Sequence, residues 1–313
     1  MIQVEGLTKY YGPVPAIMDV SLHVKKGEIV AFLGPNGAGK TTAMRIITGF
    51  MPATAGTAMI AGIDVYENSI AARRHIGYMP ETMALYTDMR VHQYLRFCGK
   101  LHGMRGGTLA DRLDEIMGLC GLTERAEAII GTLSMGYRQR VGIAQALIHK
   151  PDVLILDEPT VGLDPNQIIE VRQLIKSLAG EHTVMLSTHI LPEAQMTCER
   201  VVIINQGKII AEDTPENLTS QIQEAETIMI RVKSQDANVR GILGDMPGVT
   251  AVRAAPDGNA GSYYVDSELG SDVRAAVAEC AVGKGWGLLE LRPVEMSLED
   301  VFRQLTTEER GVA

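Results

Sequence analysis

The positions of hydrophobic and polar residues predict an alternation of strands and helices along this 313-residue chain. In AIMDVSLHVKKG, apolar residues recur at every second position, as in a half-buried strand: Met18, Val20, Leu22 and Val24. The next run, EIVAFLG, is continuously apolar, which is typical of a strand buried on both faces. GAGKTTAMRIITG then has apolar residues at helical spacing. Strand, glycine turn and helix in this order predict the opening of a parallel α/β unit.

Helical spacing prevails from about residue 82 to about residue 150. The clearest pieces there are YTDMRVHQYLRFCGKLHGM and TLADRLDEIMGLCGL. Strands return in PDVLILDEP and HTVMLSTH, and a helix-like segment follows each of them. VVIINQGKIIAED predicts a hairpin with Gln206 and Gly207 in its turn. The pattern therefore predicts an α/β core into which a helical segment is inserted.

The pattern changes near residue 220. Strand-like TIMIRVK, VTAVRAA, SYYVDS and WGLLELRP alternate with helix-like ANVRGILGDM and DVRAAVAECAVGKG. Their order, βαββαβ, predicts the ferredoxin-like split arrangement. Further on, Leu298, Val301 and Phe302 predict the apolar side of a helix in RPVEMSLEDVF. We expect two domains, residues 1–219 with a helical subdomain at about 82–150, and residues 220–313.

Charge and composition narrow the function classes. A formal net charge of -9 argues against a duplex nucleic-acid surface, which needs clustered Lys and Arg, so we expect no nucleic-acid partner. No apolar run approaches the ~18 residues of a membrane span. The N-terminus has no signal-peptide pattern, so we expect a cytoplasmic chain. The four cysteines lack CxxC spacing, which favours reduced structural thiols over a zinc site.

A glycine-rich turn, GPNGAGKTT at residues 34–42, joins the apolar strand to its helix. It matches G-x-x-x-x-G-K-[ST] with Gly34, Gly39, Lys40 and Thr41. Glycines in such a loop let backbone N–H groups turn onto phosphate oxygens, and the helix N-terminus adds positive potential. Lys40 would reach the β- and γ-phosphates, and the Thr41 hydroxyl would ligate Mg²⁺. The alternative is a chance glycine turn, which the flanking strand and helix disfavour.

Polar residues follow two of the buried-type strands. Asp157 and Glu158 end VLILDEP, and His189 ends HTVMLSTH. Open α/β sheets bind ligands at this edge of the sheet. Asp157 would hold Mg²⁺ through its outer sphere, Glu158 would polarise an attacking water, and His189 would hydrogen-bond the γ-phosphate. The alternatives are a solvated acid for Glu158 and a structural histidine for His189.

These motifs, in this order, resemble the nucleotide-binding subunit of ABC transporters over about residues 2 to 215. The resemblance implies a P-loop NTPase cassette with a RecA-like parallel sheet core, an antiparallel β subdomain, a helical subdomain and a small α+β C-terminal domain. It implies ATP as the substrate, Mg²⁺ as the cofactor, and catalytic roles for Lys40, Glu158 and His189. The residues it assigns to ATP binding are Tyr11, Gly34, Pro35, Asn36, Gly37, Ala38, Gly39, Lys40, Thr41 and Thr42.

The family's signature LSGGQ corresponds to Leu133-Ser134-Met135-Gly136-Tyr137 in this chain. In the family, this helix start faces the γ-phosphate bound by the other subunit of a head-to-tail dimer. Ser134 would supply a hydroxyl and Gly136 an unobstructed backbone N–H. Met135 replaces a glycine, which a negative φ tolerates and a positive φ would strain. A plain N-cap role for Ser134 is the alternative, and the two roles can coexist.

The resemblance assigns two further features. Tyr11 is similar to the aromatic residue that stacks on adenine, and a core aromatic at a strand end is the alternative. Gly162, Leu163 and Asp164 resemble the D-loop, which crosses to the other subunit. A plain turn in GLDP is the alternative for those three residues.

One departure from the family pattern concerns the metal. Glu81 stands where the family usually carries a glutamine, so the expected metal ligands are Thr41, Glu81 and Asp157. Glu81, the altered signature and the ending MSLEDVFRQLT resemble the branch that serves ABC-2-type exporters. Within that branch, the chain is most similar to gliding-motility-associated ATP-binding subunits. The resemblance therefore implies an ATPase that energises export.

The resemblance also implies partners. These are a second copy or a homologous ATPase subunit, and an integral membrane permease, so the chain would lie at the inner face of the cell membrane. We expect four apolar residues to form part of a groove for a permease helix, because methionine adapts to irregular surfaces: Met83, Leu85, Tyr86 and Met89. Core packing of the helical subdomain is the alternative for these residues.

Two questions stay open at the level of the sequence. A soluble ABC-type ATPase that acts on DNA or ribosomes is the alternative for the whole chain. The single cassette, the lack of a long heptad run and the acidic charge argue against it. The C-terminal domain could regulate turnover, bind a ligand, extend the dimer interface or serve as a packing module.

Overall fold

A computed structural model describes residues 1–222, 226–234, 238–255, 261–268, 270–294 and 302. These residues fall into two compact units, one that ends at Pro215 and one that begins at Glu216. The domain boundary between residues 219 and 220 stays a prediction. In the helix expected from RPVEMSLEDVF, Leu298 and Val301 lie outside the described residues.

The first unit contains two sheets and the helices around them. Its strands are β1 (Ile2–Tyr11), β2 (Val14–Val24), β3 (Ile29–Leu33), β4 (Ala55–Ile60), β5 (Ile63–Asp64), β6 (Ile76–Met79), β7 (Val153–Asp157), β8 (Thr183–Thr188), β9 (Arg200–Asn205) and β10 (Lys208–Asp213). Its helices are α1 (Lys40–Ile47), α2 (Ser69–Arg74), α3 (Val91–Leu101), α4 (Gly106–Leu119), α5 (Met135–Leu147), α6 (Pro165–Ser177) and α7 (Leu191–Thr197), and α8 (Pro215–Ile222) begins where the units divide. Among the described residues, every helix is too short or too polar to cross a membrane.

The larger sheet of the first unit has the strand order β10-β9-β3-β8-β7-β6. All neighbouring pairs are parallel except β10 with β9, which forms the predicted hairpin. Every residue of β3, β7 and β8 is buried, as the continuous apolar runs predict for strands covered on both faces. This arrangement brings the carboxyl ends of these three strands to one edge of the sheet.

The smaller sheet, with the order β2-β1-β4-β5, is antiparallel. The predicted alternation in β2 is confirmed from Val20 to Val24 but is wrong at Met18, because Ile17 takes the buried position instead. The pairing of β1 with β2 shifts its register at this point, and Asp19 has a φ of 51°. A bulge of this kind adds one residue and so reverses which side chains face the core.

The helical insertion consists mainly of α3, α4 and α5. The helical prediction is wrong at its start, because residues 86–90 precede the first turn of α3. Their backbone groups bond to a later segment instead. Ile130 N–H donates to the carbonyl of Met89 at 2.9 Å, and Gly131 N–H donates to the carbonyl of Thr87 at 2.9 Å. Long-range pairing therefore replaces the hydrogen bonds that an earlier helix start would need.

The second unit has the strand and helix order that the sequence predicts. Its elements are β11 (Glu226–Val232), α9 (Val239–Gly244), β12 (Val249–Ala254), β13 (Ser262–Ser267), α10 (Arg274–Gly283) and β14 (Leu288–Val294). The sheet order is β12-β13-β11-β14, with every pair antiparallel. Ile230, Val265, Val277 and Trp286 are among the residues of its core. The predicted ferredoxin-like arrangement is confirmed.

Candidate functional site

The phosphate loop connects β3 to α1, and neighbouring strands press closely on two of its glycines. A Cβ atom on Gly34 would lie 2.4 Å from the carbonyl oxygen of Ile204 in β9. A Cβ atom on Gly39, whose φ is 106°, would lie 2.6 Å from the carbonyl oxygen of Ala16 in β2. Any side chain at either position would collide with backbone. The two glycines therefore let the loop fold tightly against both strands.

A cavity of about 510 Å³ lies over this loop. Its volume is within the range of small-molecule sites, roughly 300–1,000 Å³. The lining comprises Ala16, Pro35, Asn36, Gly37, Gly39, Lys40, Thr41, Thr42, Glu81, Glu158, Val161 and His189. Residues predicted from four separate stretches of the sequence thus meet around one space.

Lys40 points its ammonium group back into the loop. Its Nζ atom donates to the carbonyl of Gly34 at 2.7 Å and to the carbonyl of Pro35 at 3.3 Å. The same atom lies 3.4 Å from Oε1 of Glu158. Hydrogen bonds between charged partners are stronger than those to a neutral carbonyl. An entering phosphate oxygen could therefore replace the loop carbonyls as a partner of Lys40.

Asp157 has one carboxylate oxygen without a partner. Its Oδ1 atom accepts hydrogen bonds from Ser187 Oγ at 2.5 Å and from Thr41 Oγ1 at 3.4 Å. Its Oδ2 atom is buried and has no hydrogen-bond partner. A buried carboxylate oxygen is costly unless a donor or a cation satisfies it. Carboxylate and hydroxyl oxygens are ligands that Mg²⁺ prefers, so Asp157 and Thr41 fit the predicted metal.

Glu158 has an unusual backbone that aims its carboxylate into the cavity. Its φ is 50°, in the left-handed region that residues other than glycine rarely adopt. Ser187 holds this backbone, because the Glu158 N–H donates to its carbonyl at 3.2 Å and to its hydroxyl at 3.0 Å. The Oε2 atom of Glu158 lies 2.9 Å from Nδ1 of His189. Backbone strain of this kind concentrates at functional sites.

The altered signature forms the start of α5. Ser134 is the N-cap, and its hydroxyl oxygen accepts from the Tyr137 N–H at 3.5 Å, so the capping role is confirmed. Met135 has a negative φ, which is the condition under which a methionine is tolerated there. The role of Ser134, Met135 and Gly136 toward a second chain stays a prediction.

The predicted D-loop leads from the end of β7 into α6. Gly162 has a φ of 74°, and Asp164 is the N-cap of α6, where its carboxylate accepts from the Gln167 N–H at 3.0 Å. The Leu163 N–H donates to the carbonyl of Thr160 at 3.3 Å. These contacts describe a well-defined turn within one chain. A D-loop role toward a second chain stays a prediction.

Comparison with known proteins decides the family. Residues 17–161 match the family model described as ABC transporter. The linearmycin resistance ATP-binding protein LnrL of Bacillus subtilis is 34% identical over 315 residues, which cover 98% of each chain. The chain belongs to the ABC transporter ATP-binding subunits. The bacitracin transport ATP-binding protein BcrA of Bacillus licheniformis is similar to this ABC subunit as well, with 34% identity over 97% of each chain.

Solved structures have the same fold. An ATP-binding subunit of an ABC transporter has a TM-score of 0.65 at 31% identity, and the match covers 71% of this chain and 92% of that one. An ATP-binding cassette solved as a dimer, in a post-hydrolysis state bound to ADP and Pi, has a TM-score of 0.63 at 28% identity. That match covers 68% of this chain and 98% of the cassette. The predicted P-loop NTPase cassette is confirmed, and this ABC subunit is an ATPase that binds ATP.

Tyr11 lies at the end of β1 and is 48% exposed. In the described part of the chain, it is not among the residues that line the cavity. Its Oη atom lies 3.3 Å from Sδ of Met51, and the Nζ atom of Lys9 lies 5.8 Å from its ring centroid. The exposed ring does not fit the core-aromatic alternative. Adenine stacking by Tyr11 stays a prediction for this ABC subunit.

Glu81 lies at the edge of the cavity, where the family pattern has a glutamine. Its side chain is exposed and contributes to the lining beside Lys40 and Glu158. A carboxylate in place of an amide adds negative charge to a site that also contains Asp157. Metal ligation by Glu81 stays a prediction, and its position in the lining is compatible with it.

Two polar residues that were not singled out from the sequence hold this site together. Ser187 bonds both to Asp157 and to the backbone of Glu158. Gln139 in α5 is 1% exposed, and its Nε2 atom donates to the carbonyl of Pro159 at 2.6 Å. A small hydroxyl at the end of a buried strand could have indicated Ser187. Gln139 gives no such signal, because glutamine is mostly exposed in proteins.

Proposed function

We propose that this ABC subunit energises export through a separate membrane permease by closing a head-to-tail dimer around ATP. The observation that carries the proposal is the convergence of Lys40, Glu158 and His189 on one cavity. The dimeric cassette to which the chain is similar supports the dimer. The other half of the dimer is a second copy of this chain or a homologous ATPase subunit.

The cavity supplies the groups that ATP hydrolysis needs. Catalysis of phosphoryl transfer depends on holding the phosphates and orienting the attacking water. Lys40 holds oxygens of the β- and γ-phosphates in place of the loop carbonyls. Glu158 orients the water and accepts its proton, and His189 hydrogen-bonds the γ-phosphate. The contact between Glu158 and His189 fixes the position of each side chain relative to the other.

A divalent cation completes the site. Thr41 and Asp157 would hold Mg²⁺, with Glu81 as a third ligand on the exposed side of the cavity. When bound, Mg²⁺ neutralises the charge of the phosphate oxygens. The unpartnered Oδ2 atom of Asp157 supports this assignment.

Closure of the dimer depends on two surfaces of each chain. One surface is the phosphate cavity, and the other is the start of α5, where the helix carries partial positive charge. In the proposed dimer, Ser134 and Gly136 of each chain face the γ-phosphate in the cavity of the other chain. ATP therefore joins the halves, and hydrolysis removes the group that joins them.

The permease and the direction of transport rest on resemblance. Glu81 and the altered signature resemble the ABC-2-type exporter branch and, within it, gliding-motility-associated subunits, and this resemblance supports the proposal of export. Relatives named for linearmycin resistance and bacitracin transport support a role in export. Leu85 and Tyr86 are the proposed contacts with a permease helix, and in this proposal the chain binds at the cytoplasmic face of the membrane.

The dimerisation of a Glu158→Gln protein tests the proposal. Because the variant lacks the carboxylate that activates water, bound ATP persists. Light scattering should then detect a monomer with ADP and a dimer with saturating ATP. Adding Lys40→Ala is the control, since loss of the phosphate contact should keep the protein monomeric. A Glu158→Gln protein that binds ATP and remains monomeric would contradict the proposed closure.

Fractionation of a cell lysate distinguishes this proposal from the second candidate function, a soluble ATPase that acts on DNA or ribosomes. A permease partner predicts that the chain sediments with membranes and is released by high salt or alkali. Sedimentation with ribosomes or retention on DNA would favour the other class instead. The acidic net charge of -9 argues against DNA.

A further inference from the structure

Two contacts attach the start of α5 to the D-loop segment of the same chain, and the α5 residue in each contact is buried. The buried amide of Gln139 donates to the carbonyl of Pro159 at 2.6 Å. Gly136 has the side chain of Gln167 directly against its Cα, because a Cβ atom there would lie 2.7 Å from Gln167 Cδ. One contact lies before the D-loop turn and the other lies after it, so neither of them connects the turn itself to α5.

Met135 contacts the turn itself. A Cβ atom on Gly162 would lie 2.9 Å from both Cε and Sδ of Met135, so the end of the thioether covers the open face of this glycine. Gly162 has a φ of 74° and cannot easily carry a side chain of its own to fill that space. Met135 is also the residue at which the signature departs from the glycine of the family pattern. A glycine at residue 135 would leave Gly162 without this neighbour.

We propose that Met135 is a positioning residue that fixes the D-loop to the start of the signature helix. The chain between Glu158 and Asp164 is short, so a contact at Gly162 also limits how far the backbone of Glu158 can move. The signature and the D-loop, which would both face the partner chain, then move as one body. This last consequence rests on the proposed function, whereas the contact itself belongs to a single chain.

Hydrogen exchange of the full-length chain without nucleotide tests the contact directly. Met135→Ala removes the thioether and retains a strong helix former at the first position of α5. Exchange of the amides of residues 160–164 should become roughly threefold to tenfold faster, because loss of a partly buried apolar contact makes local opening easier. Met135→Leu keeps apolar bulk and should restore most of the protection. Leu119→Ala is the matched control, since Leu119 is 41% exposed and Met135 is 40% exposed.

The outcomes are separable from those of the proposed dimer. D-loop exchange in Met135→Ala equal to the wild-type rate, or equal acceleration in the Leu and Ala variants, would overturn the inference whether or not the protein dimerises. In the Glu158→Gln background, Met135→Ala should also weaken ATP-dependent dimerisation by roughly threefold to tenfold while ATP binding to the monomer is unchanged. If Glu158→Gln itself stays monomeric with ATP, the proposed function fails and the exchange result still decides the role of Met135.

Discussion

The ammonium nitrogen of Lys40 lies 3.4 Å from Oε1 of Glu158, and the two side chains are only 6% and 8% exposed. Such a buried pair holds each group in place, but it also makes Glu158 a competitor for the cation that should bind phosphate. Removing the charge of Glu158 therefore affects the two steps of the reaction differently. ATP binding loses a competitor, whereas hydrolysis loses its base.

We expect Glu158→Gln to lower kcat by roughly 10²–10⁴-fold, the usual contribution of a general base. ATP affinity should be unchanged or higher, because Lys40 no longer shares its charge with a carboxylate. Phosphate release and equilibrium ATP binding measure the two effects. Glu199→Gln is the control, since this exposed acid lies away from the cavity lining. Turnover by Glu158→Gln within about twofold of wild type would show that another group activates the water.

Gly136 allows a test of the signature. Gly136→Glu places a carboxylate at the start of α5, where it would repel the γ-phosphate of a partner chain and crowd Gln167. We expect ATPase activity to fall at least tenfold while ATP binding to the monomer is retained. Gly118→Glu is the matched control, because a Cβ atom on this helical glycine meets open space. Undiminished ATPase activity in Gly136→Glu would reduce the signature to a helix cap.

The parts of the fold that depend on neighbouring residues were predictable from the sequence. The strand, glycine loop and helix of the phosphate site follow from the local order of apolar residues and glycines. The hairpin turn was predictable from local sequence as well. Gln206 and Gly207 adopt φ values of 46° and 80°, which such a turn requires.

Contacts between distant residues were not predictable. Met83 was expected in a permease groove or in the core. Its side chain packs directly against Gly142 in α5, because a Cβ atom on this glycine would lie 2.2 Å from the Sδ atom of Met83. The rings of His102 and His149 stack with centroids 3.7 Å apart, although the residues are far apart in the chain. Periodicity reports which face of an element is buried, and it does not report which element covers that face.

The charge of Glu81 gives a prediction about the metal. Glu81→Gln restores the ligand type of the family pattern and removes one negative charge from the cavity edge. We expect the Mg²⁺ concentration that half-saturates ATP binding to rise roughly threefold or more, because cation affinity follows the charge of the ligands. Calorimetric titration of ATP at fixed Mg²⁺ concentrations measures this. Asp88→Asn controls for general charge, and an equal shift in both variants would remove Glu81 from the set of metal ligands.

Tyr86 is the best-placed residue for a permease contact. It is 53% exposed, and its ring packs against Tyr94 and Phe97 with centroids 5.8 and 5.6 Å apart. Tyr86→Glu should abolish co-purification with the membrane subunit, because a carboxylate on this apolar cluster opposes burial of a partner helix. ATP binding should be unchanged. Val282→Glu, at a residue 69% exposed in the second unit, should retain the partner. Retention of the partner by Tyr86→Glu would exclude this docking surface.

His149 makes stability sensitive to acid. Its Nε2 atom lies 3.0 Å from the carbonyl of Ile76, which assigns the proton of the neutral ring to Nε2. Its Nδ1 atom is buried and has no partner. A second proton would therefore introduce a buried charge beside the stacked ring of His102. Burial first, and the charge of His102 second, lower the pKa of His149 from 6.5 to about 4.

The sign of the resulting pH dependence follows from this depressed pKa. The unfolded chain takes up the proton near pH 6.5, before the folded chain does near pH 4, so the free energy of unfolding decreases as the pH falls through this window. His149→Gln keeps a donor for the Ile76 carbonyl and does not titrate. When the pH is lowered from about 7.5 to about 6, the urea midpoint of this variant should therefore fall less than the wild-type midpoint. His23→Gln, an exposed position on β2, should follow the wild-type curve, because His23 is in solvent in both states. Parallel curves for wild type and His149→Gln would mean that the second proton finds a partner which the folded chain supplies on protonation.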